Sequence, residues 1–169
     1  MSSVLVAFAT KYGSTREVAE AVGDVLSRHG HRVEVLPAKD VRDVTGYEAV
    51  ILGSALYYFM LHSDAKRFLA RHRKTLASTP VALFALGPFH DTPEEMASAR
   101  GPVDKYVAKA DWLTPASVAI FGGRHEPSAL RFPDNNPAMA NMPPSDARDW
   151  DAIRKWADEL PAALSLTSS

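Results

Sequence analysis

The segment VLVAFATKYGST, Val4 to Thr15, decides how the rest of the chain is read. Its apolar run of β-branched and aromatic residues predicts a buried strand, which breaks at a polar loop containing Gly13. Directly behind it stands REVAEAVGDVLSRHG, where Val18, Val22, Val25 and Leu26 recur at helical spacing and Gly30 marks the stop. A strand feeding a helix through a short loop gathers free backbone N–H groups at the positive end of a helix dipole. Such a place binds an anion, usually a phosphate. Thr10, Ser14 and Thr15 offer hydroxyls, Gly13 permits a positive φ, and Lys11 and Tyr12 complete the loop.

The loop lacks the GxxxxGK[ST] spacing of a Walker A loop and the GxGxxG of a dinucleotide fingerprint. Its order, Thr10-x-x-Gly13-x-Thr15, resembles the flavin mononucleotide (FMN) phosphate loop of the flavodoxin superfamily. The same residues also read as an ordinary helix N-cap, with Ser14 or Thr15 capping and Glu17 and Glu20 near the first turn. The rest of the chain has to choose between them.

Composition narrows the field. A chain of 169 residues predicts one domain with a sizeable core. Lys+Arg 19 against Asp+Glu 20 leaves a net charge of −1, which gives no basic footprint for nucleic acid. Cysteine is absent, which removes disulfides, thiolate metal sites and cysteine nucleophiles together. No secretory signal is visible, and the apolar run from Ala49 to Leu61 is too short for a bilayer. The expectation is a cytoplasmic protein, with peripheral membrane contact left open.

Taken in order, HRVEVLPA predicts a short strand near the sheet edge, with His29 and His31 as solvated turn residues. Glu48 to Ser54 reads as a buried strand and Ala55 to Leu61 as an aromatic-rich loop. Ser63 then caps a helix turning Phe68, Leu69 and Leu76 inward. PVALFAL repeats the strand, followed by Gly87, Pro88, Phe89 and His90. Thr92, Pro93 and Glu95 form a capping box, and a second helical piece follows Gly101-Pro102. Pro115 to Phe121 is the last strand. Residues 124–144, rich in proline, predict a long loop, and the final helix, about 146–165, turns Trp150, Ile153, Trp156, Ala157 and Leu160 inward.

Five apolar strands alternating with helices predict an α/β domain, a doubly wound parallel sheet of order 2-1-3-4-5 with helices on both faces. In such a sheet the ligand lies beyond the carboxyl ends of strands 1, 3 and 4. Those ends are the three loops already met, and their agreement favours the phosphate site over the helix cap. Ser54, Ala55, Leu56, Tyr57 and Tyr58, with Gly87, Pro88, Phe89 and His90, would then enclose a flat ring. Core packing is the alternative for Tyr57, Tyr58 and Phe89, and solvent exposure for His90.

Nearly the whole chain resembles the flavodoxin-domain branch that includes the menaquinone-dependent protoporphyrinogen IX dehydrogenases. The likeness is carried by VLVAFATKYGST, by ILGSALYYF through HSDAKRFLARHRKTL, and by DARDWDAIRKWADEL. It implies a flavodoxin-like fold, FMN as cofactor, and a loop after the fifth strand placed near the flavin. Two departures stand out: that loop is shorter and more nearly neutral here than in the family's enzymes, and the residues after Tyr57 differ.

The resemblance implies an FMN oxidoreductase passing electrons from a small organic substrate to a quinone. If the substrate is a tetrapyrrole, Arg124, His125 or Arg131 could meet its propionates, although each also reads as an ordinary solvated loop residue. An FMN electron-carrier flavodoxin is the second reading, weakened by a net charge that provides little steering. A flavodoxin-like scaffold without cofactor is the third. A phospho-receiver is a poor match, because Phe8-Ala9-Thr10 and Gly53-Ser54 stand where it needs acidic residues. No metal site is expected.

Overall fold

The computed structural model describes residues 2–57, 60–87, 92–132 and 134–167. The chain forms β1 (Ser3–Ala9), α1 (Ser14–Arg28), β2 (Arg32–Pro37), β3 (Ala49–Tyr57), β4 (Met60–Leu61), α2 (Ser63–Arg71), α3 (Arg73–Leu76) and β5 (Val81–Leu86). It continues through α4 (Pro93–Lys109), β6 (Ser117–Phe121), β7 (Arg124–His125), α5 (Pro137–Ala140), β8 (Ser145–Asp146) and α6 (Trp150–Ala163). The main sheet runs β2-β1-β3-β5-β6, all parallel, with β4 pairing antiparallel to β3. With the two-residue β4 set aside, this is the predicted order. It is a flavodoxin-like α/β architecture.

Alternation along β1 explains why that strand is apolar throughout. Val4, Val6 and Phe8 enter one core with Val18, Val22 and Leu26 of α1 and Ile153, Trp156 and Leu160 of α6. Leu5, Ala7 and Ala9 enter the other, with Phe68 and Leu69 of α2. Both faces of the central strand are covered, so neither tolerates a polar residue. Below the carboxyl end of the sheet, Trp156 packs edge-on against Phe84 and Phe121, with ring centres 5.8 and 5.7 Å away. Its indole N–H donates to Ser117 Oγ at 2.8 Å. Gly53 is obligatory here, since a Cβ would stand 2.0 Å from the Phe84 ring.

Several local readings change. β3 continues through Tyr57, because Leu56 and Tyr57 pair with Leu61 and Met60 in a hairpin where a loop was expected. α4 is one helix across Gly101-Pro102. Buried Ala99 and Val103 stand one turn apart on either side of that pair, so a shared inner face overrides the local breaker. The final helix begins at Trp150, capped by Asp149, which accepts from the Ala152 N–H at 3.1 Å. Ser145 and Asp146 pair instead with His125 and Arg124, so the proline-rich segment holds short elements of its own. Trp150 is only partly buried against the core. His29 is exposed beside Asp158 as expected, but His31 is buried and its Nδ1 accepts from the Ser2 N–H at 3.2 Å.

Burial holds the pKa values of His31 and His72 below the usual imidazole value, so both are neutral in the fold. An unfolded chain therefore binds more protons below about pH 6.5, and stability present above that pH is lost as the pH falls. The thermal midpoint should drop between about pH 7 and about pH 5, a window in which most carboxylates stay ionised. A midpoint that is flat or rises on acidification would contradict the buried neutral histidines.

Candidate functional site

Strand register brings the three predicted loops to one edge. Ala9 lies beside Ser54 and Ala55 beside Leu86, so Thr10 and Gly87 leave the sheet beside Ser54-Ala55 of β3. At the first loop, Thr10 Oγ1 accepts from the Gly13 N–H at 2.9 Å and turns the chain toward α1. Gly13 is itself the N-cap residue, at φ 90° and ψ −9°, and among the described residues no side chain caps the helix. The N-cap readings of Ser14 and Thr15 therefore give way to Gly13. Elsewhere His62 caps α2, Thr92 caps α4, Asn136 caps α5 and Asp149 caps α6, each through a side-chain acceptor.

The first intrahelical bond of α1 runs from the Glu17 N–H to Gly13 O, at 3.3 Å. By helix geometry, the N–H groups of Ser14, Thr15 and Arg16 have no partner within the helix. Thr15 is fully buried, and its Oγ1 has no hydrogen-bond partner among the described residues. A buried orphan hydroxyl is costly unless something outside the chain completes it. Beside an uncapped helix start, an anionic oxygen is that complement.

The second loop is tighter than the sequence suggests. Ser54 is buried, and its hydroxyl donates to Ala55 O at 2.9 Å while accepting from the His62 N–H at 3.0 Å. Leu56 lies against Gly87, where an added Cβ would meet Leu56 Cδ1 at 2.9 Å. Gly87 N–H donates to Phe121 O at 3.3 Å. Tyr57 is placed through the pairing of β3 with β4, whereas Tyr58, Pro88, Phe89 and His90 lie outside the described residues. His62 was not singled out by sequence. Its Nδ1 accepts from the Asp64 N–H at 3.0 Å, which leaves the neutral ring's proton on Nε2, and burial lowers its pKa.

Two further residues escaped the sequence reading because their partners at the first loop and at the start of α1 are far away along the chain. Asp134 is buried, and its Oδ2 accepts from both Lys11 Nζ and the Tyr12 hydroxyl at 2.5 Å. The carboxylate's hydrogen bond holds the Lys11 pKa above its ordinary value. Arg148 donates to both carboxylate oxygens of Asp146 at 2.8 Å, reaches Ser14 O at 3.4 Å, and stands 3.4 Å from Glu17. Its hydrogen bonds hold the Asp146 carboxyl below the usual range. Of the residues expected to meet propionates, Arg131 donates to Lys11 O at 3.0 Å and buried His125 has Nε2 2.9 Å from Met139 O. Arg124 remains the more open, 3.8 Å from Glu17.

Known proteins carry the same framework. The profile of the flavodoxin domain matches residues 5–137. A protoporphyrinogen IX dehydrogenase (quinone) of Escherichia coli strain K12 is 27% identical over 136 residues, covering 76% of this chain and 70% of that protein. Oxidised flavodoxin 1 from Bacillus cereus superposes with a TM-score of 0.61 at 14% identity, covering 99% of this chain and 100% of the other. Two-electron reduced Megasphaera elsdenii flavodoxin gives 0.59 at 19% identity, covering 92% and 98%. The family implies a flavin cofactor, and the orphan hydroxyl, the uncapped helix and the open left-handed Gly13 fit its phosphate.

Thr15→Val keeps the side chain's shape and removes the orphan hydroxyl. The cofactor-free protein should be as stable as the parent, or more stable by about 1 kcal/mol, while FMN affinity falls about tenfold. Denaturant unfolding together with flavin fluorescence titration checks both. Loss of stability with affinity unchanged would show that the hydroxyl serves the fold and not a ligand.

Proposed function

Because this chain belongs to the flavodoxin-domain family, we propose that it is an FMN-dependent oxidoreductase passing electrons from a small organic substrate to a quinone. A porphyrinogen is the first substrate to try, given the name of the Escherichia coli relative. The observation that carries the cofactor assignment is the start of α1, which among the described residues has no side-chain cap and stands beside a buried Thr15 hydroxyl with no partner. A protein that used this edge only as scaffold would gain stability by capping that helix from its own chain, as α2, α4 and α6 do.

When bound, the flavin supplies two-electron redox chemistry. The chain's part is to bind and orient. The Ser14, Thr15 and Arg16 N–H groups and the Thr15 hydroxyl would take the phosphate, with Thr10 fixing the turn that presents them. No cation is required for this, since helix amides and a hydroxyl satisfy phosphate oxygens directly. Ala55, Leu56, Tyr57, Tyr58 and Gly87 through His90 would flank the ring. Ser54 supports that wall from behind, because its hydroxyl is bonded within the hairpin.

Protein reconstituted with FMN should retain a flavin absorption band through gel filtration. It should bleach under anaerobic porphyrinogen and recover with quinone. Gly13→Val should lower FMN affinity at least about tenfold with circular dichroism unchanged, because a β-branched residue is strained at a positive φ. A colourless wild type, or a valine variant that binds FMN normally, would refute the assignment.

A further inference from the structure

We propose that Asp134 is a positioning residue for the phosphate loop, holding Lys11 and Tyr12 from the segment after β6 so that the loop keeps its anion-receiving shape. The proposal rests on the flavin reading above and adds a residue to it. The turn at Thr10–Gly13 fixes the chain's direction but leaves the side chains of Lys11 and Tyr12 to find partners. Both find the same oxygen of one buried carboxylate. Burying a carboxylate is unfavourable unless its hydrogen bonds are made, and these two contacts supply them from the loop itself. Asp134 and the loop therefore order each other.

Neighbouring contacts extend the brace. Arg131 donates to Lys11 O and lies over the Tyr12 ring, its guanidinium carbon 5.7 Å from the ring centre. On the helix side Arg148, whose side chain is 4% exposed, reaches Ser14 O. Loop residues on both sides of Gly13 are thus held by one returning segment. The alternative for Asp134 is purely electrostatic: a carboxylate near a dianion repels it and keeps Lys11 away from the phosphate. Lys11 Nζ sits on the same carboxylate oxygen and offsets its charge locally, so ordering the loop's backbone outweighs the remaining repulsion and the positional effect should prevail.

The two accounts give opposite signs. Asp134→Asn keeps the shape and removes the charge, and Lys11→Met breaks the same contact from the other side. Hydrogen–deuterium exchange of residues 11–16 in the cofactor-free proteins reads the brace without any ligand. Titration with FMN and with riboflavin, which lacks the phosphate, reads its effect on binding. The expected result for both variants is faster exchange at 11–16 and FMN binding about tenfold weaker, with riboflavin binding within about twofold of wild type. Unchanged exchange, equal losses for FMN and riboflavin, or tighter FMN binding would each overturn the proposal. A wild type that binds neither flavin, with exchange still faster in Asp134→Asn, would overturn the cofactor reading and leave the brace standing.

Discussion

Everything at the carboxyl edge of this sheet depends on α1 starting without a cap. Thr10 turns its hydroxyl back to the Gly13 N–H, Gly13 takes a left-handed φ, and the helix opens with three amides that have no partner within the helix and no side-chain cap among the described residues. With glycine at the N-cap, this helix start is less stable than a side-chain-capped one by roughly a few tenths of a kcal/mol. The chain adds to that cost by burying the Thr15 hydroxyl with no partner among the described residues. Such a combination persists where a ligand completes it.

The sheet makes this placement affordable. β1 is buried on both faces, packed by α1 and α6 on one side and by α2 on the other, so its carboxyl end is a rigid platform. β5 ends and β3 passes beside it in register, which brings Ser54, Ala55 and Gly87 to the same edge. Trp156, Phe84 and Phe121 fill the space beneath. The segment after β6 then returns over the first loop and is itself pinned by the β7–β8 pair and by the Arg148–Asp146 contacts.

Much of this was legible because it is local. A strand, a glycine loop and a helix in immediate succession carry their own signals, and the alternation of such units fixes a parallel sheet. The misreadings share one cause, which is tertiary context. Ala55 to Leu61 reads as loop because nothing in those residues announces that Leu56 will pair with Leu61. Gly101-Pro102 reads as a break because its buried flanks, Ala99 and Val103, count only once the sheet is present. Asp134 carries no local signal at all, since its partner Lys11 is 123 residues away. His31 looks solvated until Ser2 is placed beside it.

A crystal structure of the protein grown with FMN tests the central claim most directly. The account predicts the phosphate against the Ser14, Thr15 and Arg16 amides, with the Thr15 hydroxyl donating to it and Lys11 still on Asp134. Flavin bound elsewhere, or a phosphate that leaves the Thr15 hydroxyl unpartnered, would contradict it.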